Sequence, residues 1–334
     1  MKTLFSKIKQ NPKFYYSMMI AATWAGAGSL IVGMKMAQTF GVVPFIIWAL
    51  GNTLACIVFG LLAHRIPKLM EVAMSKPVKL IVGLMAVFQI WVNMQGLYEA
   101  LALTPITVIL QKVIVYGASL GIVIFYLTRP MLKNVSVGYL AWTMTYAMII
   151  GLMIYAFIQN GVSALPLGLE PAGIADATRK FFLLIPGCFL YPVFWEMWEY
   201  NKKNDDGTKT NIDLQACFVH GGLLFGLYLV FVFALAMTNF TPTQNAIKGV
   251  LIFTVAVDSL ASFLFSVLIT FGKKFGAGIN VAAIVAWSFL IPLGVLGLWT
   301  KMAEFRIVVI GLMIIAAIGW AIYEKSKHAQ EQKA

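Results

Sequence analysis

Two stretches of this chain pair helix-breaking residues with groups that could hold a ligand. The first is Thr23-Trp24-Ala25-Gly26-Ala27-Gly28-Ser29-Leu30, followed by Gly33. The second is Ile185-Pro186-Gly187-Cys188-Phe189-Leu190-Tyr191-Pro192. Glycines permit an unwound turn, and prolines remove backbone donors and disfavour continuous helix. A break of this kind exposes helix ends. The N-terminal end of a half-helix attracts an anionic group, and freed carbonyls coordinate a cation. In lipid those freed groups need partners, so a break is tolerated where it faces protein or a wet cavity. The plainer readings stay open: close helix packing by small residues at Gly26–Gly28, and a simple proline kink at Pro186–Pro192.

Ionisable residues inside apolar runs are the next candidates. Asp258 stands in Phe253-Thr254-Val255-Ala256-Val257-Asp258-Ser259-Leu260. A carboxylate at the centre of a membrane helix costs about 2.5–3.5 kcal/mol on insertion scales, so it marks a functional position by default. It could complete a cation site, carry a proton, or pair with a base. Lys35 lies beyond the first break. It could snorkel to the interface, bind a substrate carboxylate, or pair with Asp258 or Glu196. Glu196 and Glu199 follow the second break among aromatic residues. Trp91 and Gln95 are four apart and share a helix face, where an indole and an amide could stack on and hydrogen-bond a planar ligand; interhelical packing is the alternative. His64 and His220 have no metal-like spacing. Cys56, Cys188 and Cys217 sit singly in apolar runs and read as packing residues. There is no P-loop, HExxH or nucleophile motif, so neither ATP drive nor enzymatic activity is expected from this chain.

The elements that must position these groups are membrane helices. The chain of 334 residues is 60% hydrophobic and 11% charged, whereas a soluble domain is about a quarter charged. The net charge of +12 is scattered in short clusters, which argues against a nucleic-acid surface. Ten spans are predicted, at 15–39, 42–64, 79–101, 108–128, 136–159, 181–200, 213–238, 247–271, 277–299 and 304–323. With the N-terminus inside, the cytoplasmic segments hold Lys2, Lys7, Lys9 and Lys13; Arg65, Lys68, Lys76 and Lys79; Arg129 and Lys133; Lys202, Lys203 and Lys209; Lys273 and Lys274; Lys325, Lys327 and Lys333. Lys112, Arg179, Lys180, Lys248, Lys301 and Arg306 fall outside. The alternation never breaks, which predicts ten spans with both termini cytoplasmic in a bacterial-type inner membrane. Residues 1–14 then form a retained basic lead and 324–334 a tail. The outside segment 160–180 is expected to be a loop with a short surface helix, either a lid or a connector.

The breaks fall in spans one and six, five apart. Five is odd, so residues 181–323 would repeat 15–159 with inverted topology. Matched interrupted helices in inverted halves point to a midplane site in a secondary transporter. At these residues the chain resembles the LeuT-fold transporters of the amino acid–polyamine–cation superfamily. Thr23 to Gly33 is similar to the first core span of sodium:solute symporters, and the short length with Gly26-Ala27-Gly28 resembles YkvI-type bacterial membrane proteins. The Trp91/Gln95 pair resembles nucleobase–cation symporters. The resemblance implies a sodium ion held by Thr23 and Gly26 in span one and by Ala256, Ser259 and Ser262 in span eight; Leu260 stands where the family often has a second hydroxyl. The expected solute site comprises Trp24, Gly26, Gly28, Ser29, Trp91, Gln95, Phe189 and Tyr191, with Asp258, Lys35 and Glu196 as coupling groups. The expected function is symport of a small organic solute, an amino acid or nucleobase, coupled to sodium or protons. The alternative is a membrane sensor that keeps the ligand site without cycling. No cofactor is expected besides that sodium ion, the partners being solute and lipid.

Overall fold

The computed structural model describes residues 12–65, 75–128, 132–190, 213–238 and 240–331. Those residues are helices and connections, with no strand among them. The α-helices are α1 (Pro12–Trp24), α2 (Ala27–Phe40), α3 (Val42–Arg65), α4 (Lys76–Ala102), α5 (Val108–Thr128), α6 (Leu132–Asn160), α7 (Pro171–Gly187), α8 (Leu214–Ala236), α9 (Pro242–Phe271), α10 (Lys273–Ala286) and α11 (Gly294–Glu331). Seven of them are long and apolar enough to cross a bilayer, and α1 with α2, bent by 65° at the break between them, counts as an eighth when the pair is taken as one span. The protein is therefore an all-α integral membrane protein. At 17 and 14 residues, α7 and α10 are shorter than the ~20 residues a full crossing takes.

The bend between α1 and α2 has a local cause. The helical ladder ends where the Ala25 N–H bonds the Ala21 carbonyl at 3.0 Å, and the Gly26 N–H turns back to Trp24 O. Gly26 is extended, with φ −97° and ψ 175°. The orphaned groups find partners within the protein. The Asn93 side-chain oxygen on α4 accepts the Ala27 N–H at 3.3 Å, and the Ser29 hydroxyl donates to the Gly26 carbonyl at 2.7 Å.

Antiparallel α4 and α9 form the centre. Two-thirds of the apolar window of α4 is buried (67%), against a tenth of that of α11 (11%), so α4 is interior and α11 is on the rim. Small residues set the close crossings. A methyl group on Gly96 would lie 2.1 Å from the Ala27 Cβ, and one on Gly249 would lie 2.5 Å from the Ala100 carbonyl oxygen.

Two boundaries differ from expectation. The segment 160–180, expected to be a loop with a short surface helix, is irregular over 161–170, and its helix, α7, begins at Pro171 and runs on into the predicted span as far as Gly187. Asp176, Arg179 and Lys180 lower the hydropathy of its first turns and set them apart from the span. The irregular segment is pinned by backbone bonds: Val42 N–H to Pro166 O, Val43 N–H to Leu167 O, and Ser163 N–H to Met237 O. It caps the start of α3. The second difference lies near the C-terminus. The turn expected between 299 and 304 falls instead at Trp287–Leu293, as two 3-10 turns ending at Gly294, whose φ is +62°. That turn is itself apolar, whereas Thr300, Lys301 and Glu304 only imitate a loop. α11 consequently runs unbroken for 38 residues.

Candidate functional site

The break at Ala25–Gly26 opens onto a buried cavity. Its lining comprises Trp24, Gly26, Gly28 and Ser29 from the broken span, Asn93 and Gln89 from α4, Ser259 from α9, Leu184 from α7, Asn52 from α3, and Trp299 and Arg306 from α11. It offers about 20 Å³ to the centre of a water-sized sphere, enough for a water-sized guest. A methyl group on Gly26 would lie 3.1 Å from both Asn93 Oδ1 and Ser259 Oγ. The Ser259 hydroxyl is buried and makes no hydrogen bond among the described residues. The Trp299 indole lies against Gly28, where a methyl group would come within 3.0 Å of the ring. The Arg306 guanidinium stacks over that indole at 5.2 Å from its centroid, and a methyl group on Gly187, at the end of α7, would lie 3.4 Å from Arg306 Nη1. Arg306 is only 2% exposed.

The cavity thus gathers three kinds of group in one low-dielectric space: a helix start, an orphan hydroxyl and a guanidinium. A guanidinium presents five donors in a planar fork that matches a carboxylate. Both the α2 N-terminus and Arg306 favour negative charge there. A sodium ion in the same small space would be repelled by Arg306. Among the described residues no group of three or more His, Cys, Asp or Glu side chains could hold a metal.

Of the expected residues, the structure brings Trp24, Gly26, Gly28, Ser29 and Ser259 together around one cavity. Ser29 also reaches the Tyr228 hydroxyl, at 3.5 Å. The other expected residues stand elsewhere. Thr23 is buried within α1, and Ala256 packs at the α4–α9 crossing, 3.7 Å from a methyl position on Gly96. The Ser262 hydroxyl bonds its own helix at Asp258 O. The Trp91 indole donates to the Ala283 carbonyl at 2.8 Å, and Gln95 accepts from the Trp287 indole at 3.2 Å while donating to Glu99. Both side chains serve helix packing and neither lines the cavity. Phe189 packs on Phe59, with ring centroids 5.1 Å apart. Asp258 follows Val257 onto a different face of α9 from Ser259 and faces α5. Lys35 lies in a separate vestibule toward the C-terminal end of α2, with Gln38, Thr39, Glu99 and Lys248, a space of about 360 Å³. Tyr191, Pro192, Glu196 and Glu199 lie outside the described residues.

Arg306 is the main correction. The sequence reading counts it with the outside charges at the very start of the span predicted at 304–323, and the structure places it twelve residues into α11, lining the cavity. Its signal was the apolar run that follows it, Ile307-Val308-Val309-Ile310, which makes Arg306 part of a span. Glu99 was also missed. Its carboxylate accepts from the Val295 N–H and from Gln95, and so caps the start of α11. We expect Glu99→Ala to cost about 1–2 kcal/mol through loss of this cap, and Glu99→Gln less, read as the thermal unfolding temperature in one detergent. Equal values for both variants and the wild type would show that the cap contributes nothing.

The fold and cavity define a multi-span α-helical membrane protein of the architecture that transporters use. No protein-family model matches the chain, and no curated protein matches it.

Proposed function

We propose that this protein is a secondary transporter for a small carboxylate-bearing solute, of the amino acid class, working by alternating access around the α1–α2 break. The observation that carries this reading is the meeting of that break, the Ser259 hydroxyl and the buried Arg306 in one cavity. Arg306 would clamp the carboxylate, and the Ser259 hydroxyl and Asn93 would orient the remainder. The nucleobase reading loses its support, because Trp91 and Gln95 are engaged between helices. In the described state the cavity is too small for a solute, so binding requires Trp299 and Leu184 to withdraw. The separate vestibule carries Lys35 and Lys248 and would attract the same anionic solutes.

The packing supports ten spans arranged as two inverted fives. Take α1 with α2 as span one, then α3 to α6 as spans two to five, α7 as the start of span six, and α8 to α11 as spans seven to ten. Contacts then recur under a shift of five. α3 with α7 repeats α8 with α1, α4 with α11 repeats α9 with α6, α1 with α6 repeats α7 with α11, and α4 with α5 repeats α9 with α10. The self-paired contacts α3 with α8, α4 with α9 and α5 with α10 are all present. α3 runs parallel to α7, as Gly173 meets Pro44 and Gly51 meets Phe181. α1 runs parallel to α8, as the Cys217 thiol meets the Lys13 carbonyl and Gly221 meets Ser17. Such a two-fold relation is the architecture the LeuT-fold resemblance implies. Ten spans would put both termini on one side, and the charge alternation favours the cytoplasmic side of a bacterial-type inner membrane.

Because Arg306 already supplies positive charge, the solute carboxylate balances the site, and transport should be independent of sodium or coupled to protons. Counterflow in proteoliposomes tests this. We expect labelled amino acids to exchange with and without sodium, and their decarboxylated amines not to exchange. A ligand that raises the unfolding temperature yet never exchanges would make the protein a sensor. No effect of any carboxylate would remove the reading altogether.

A further inference from the structure

A second cavity stands apart from the central one, between α5 and α9. It is about 530 Å³, within the range of small-molecule sites. Ala118, Gly121, Ile122, Phe125 and Tyr126 line it from α5; Phe253, Thr254, Val257, Asp258 and Ala261 line it from α9. The wall is apolar apart from the Asp258 carboxylate, the Tyr126 hydroxyl and Thr254. Asp258 Oδ2 is buried and has no hydrogen-bond partner among the described residues. Thr254 is already engaged, its hydroxyl donating to Val250 O at 2.9 Å. No Lys or Arg lines the space. The mouth faces hydrocarbon. Gly121 is exposed with open space around it, and Leu120 and Ile124 beside it are 38% and 61% exposed.

A buried carboxylate oxygen with no donor is costly, and the groove that its residue lines is apolar. The chemistry that satisfies it is an N–H donor with positive charge attached to an apolar body. We propose that the α5–α9 groove is a binding site for a membrane-partitioned amphiphilic amine. Its ammonium group bonds Asp258 and its chain lies along Ala118, Gly121 and Val257. Phe125, Tyr126 and Phe253 add ring faces that favour a cation. This site is separate from the Arg306 cavity and selects the opposite charge, so its occupant is not the transported carboxylate. It stands or falls independently of the transport reading.

The test uses the purified full-length protein in phosphatidylcholine nanodiscs at pH 7, with dodecylamine, which is protonated there, as the probe. Thermal unfolding is followed by tryptophan fluorescence. We expect dodecylamine to raise the unfolding temperature saturably by several degrees, and equal dodecanol or dodecanoate to leave it unchanged. Asp258→Asn, which is nearly isosteric, should weaken the apparent affinity at least tenfold. Gly121→Leu fills the groove from α5 without touching the carboxylate and should do the same, which keeps the test informative if the first variant folds poorly. An equal rise with dodecanol, or an unchanged response to dodecylamine in both variants, would overturn the proposal.

Discussion

Arg306→Ala is expected to abolish carboxylate-dependent counterflow while leaving a protein that inserts and purifies as a single species. Arg306 is the cationic side chain that lines the central cavity, and its guanidinium both stacks on Trp299 and faces the α7 terminus at Gly187. Arg306→Lys is the sharper variant. It keeps the charge, so any charge-balancing role in folding survives. It loses the planar fork and most of the stacking, because an ammonium is a compact point charge. We expect at least a tenfold loss of transport with an unfolding temperature within a few degrees of the wild type. Such a loss corresponds to 1.4 kcal/mol or more of binding, in line with a charge-assisted hydrogen bond forfeited. Wild-type exchange by a folded Arg306→Ala protein would remove Arg306 from the solute site. Loss of folding in both variants would instead make Arg306 a structural residue.

The second large effect concerns the approach of α2 to α4. Gly96→Ala places a methyl group 2.1 Å from the Ala27 Cβ, with no flexible side chain to yield. The two helices must separate, and overpacking of this kind costs about 1–3 kcal/mol. Ala27 is the residue whose N–H is held by Asn93, so the separation also strains the cap of the break. Gly96→Ala should therefore lower the unfolding temperature by several degrees and weaken ligand stabilisation together. The double variant Gly96→Ala, Ala27→Gly moves the methyl group to the other helix and should recover most of both losses, apart from up to about 1 kcal/mol for a helical glycine. A double-mutant cycle with no coupling would show that the two residues do not meet.

Much of the site's location was legible in the sequence. Gly26-Ala27-Gly28 within an apolar run predicts a broken span, and the observed 65° bend lies there. Ser259 enters the sequence reading through the family resemblance, which implies hydroxyls of span eight beside the break in span one. Asp258, its neighbour, went astray for a geometric reason. Successive residues on a helix are about 100° apart, so adjacent positions face different neighbours, and a linear reading joins them. Trp91 and Gln95 share a face, as their spacing dictates, but that face meets the carbonyl of Ala283 and the indole of Trp287. Spacing states which residues share a face and is silent about what stands opposite.

The sequence by itself determined that this is a membrane protein and where its first helix breaks. Both follow from properties local to the chain: apolar runs that must leave water, and glycines that let the ladder end. Only the tertiary structure decided the depth of Arg306, the separation of Asp258 from Ser259, and the group that caps the break. Those depend on where a turn falls within an apolar stretch and on the azimuth of each helix. Packing sets both, through contacts between residues far apart in the chain such as Ala27 with Asn93 and Gly28 with Trp299.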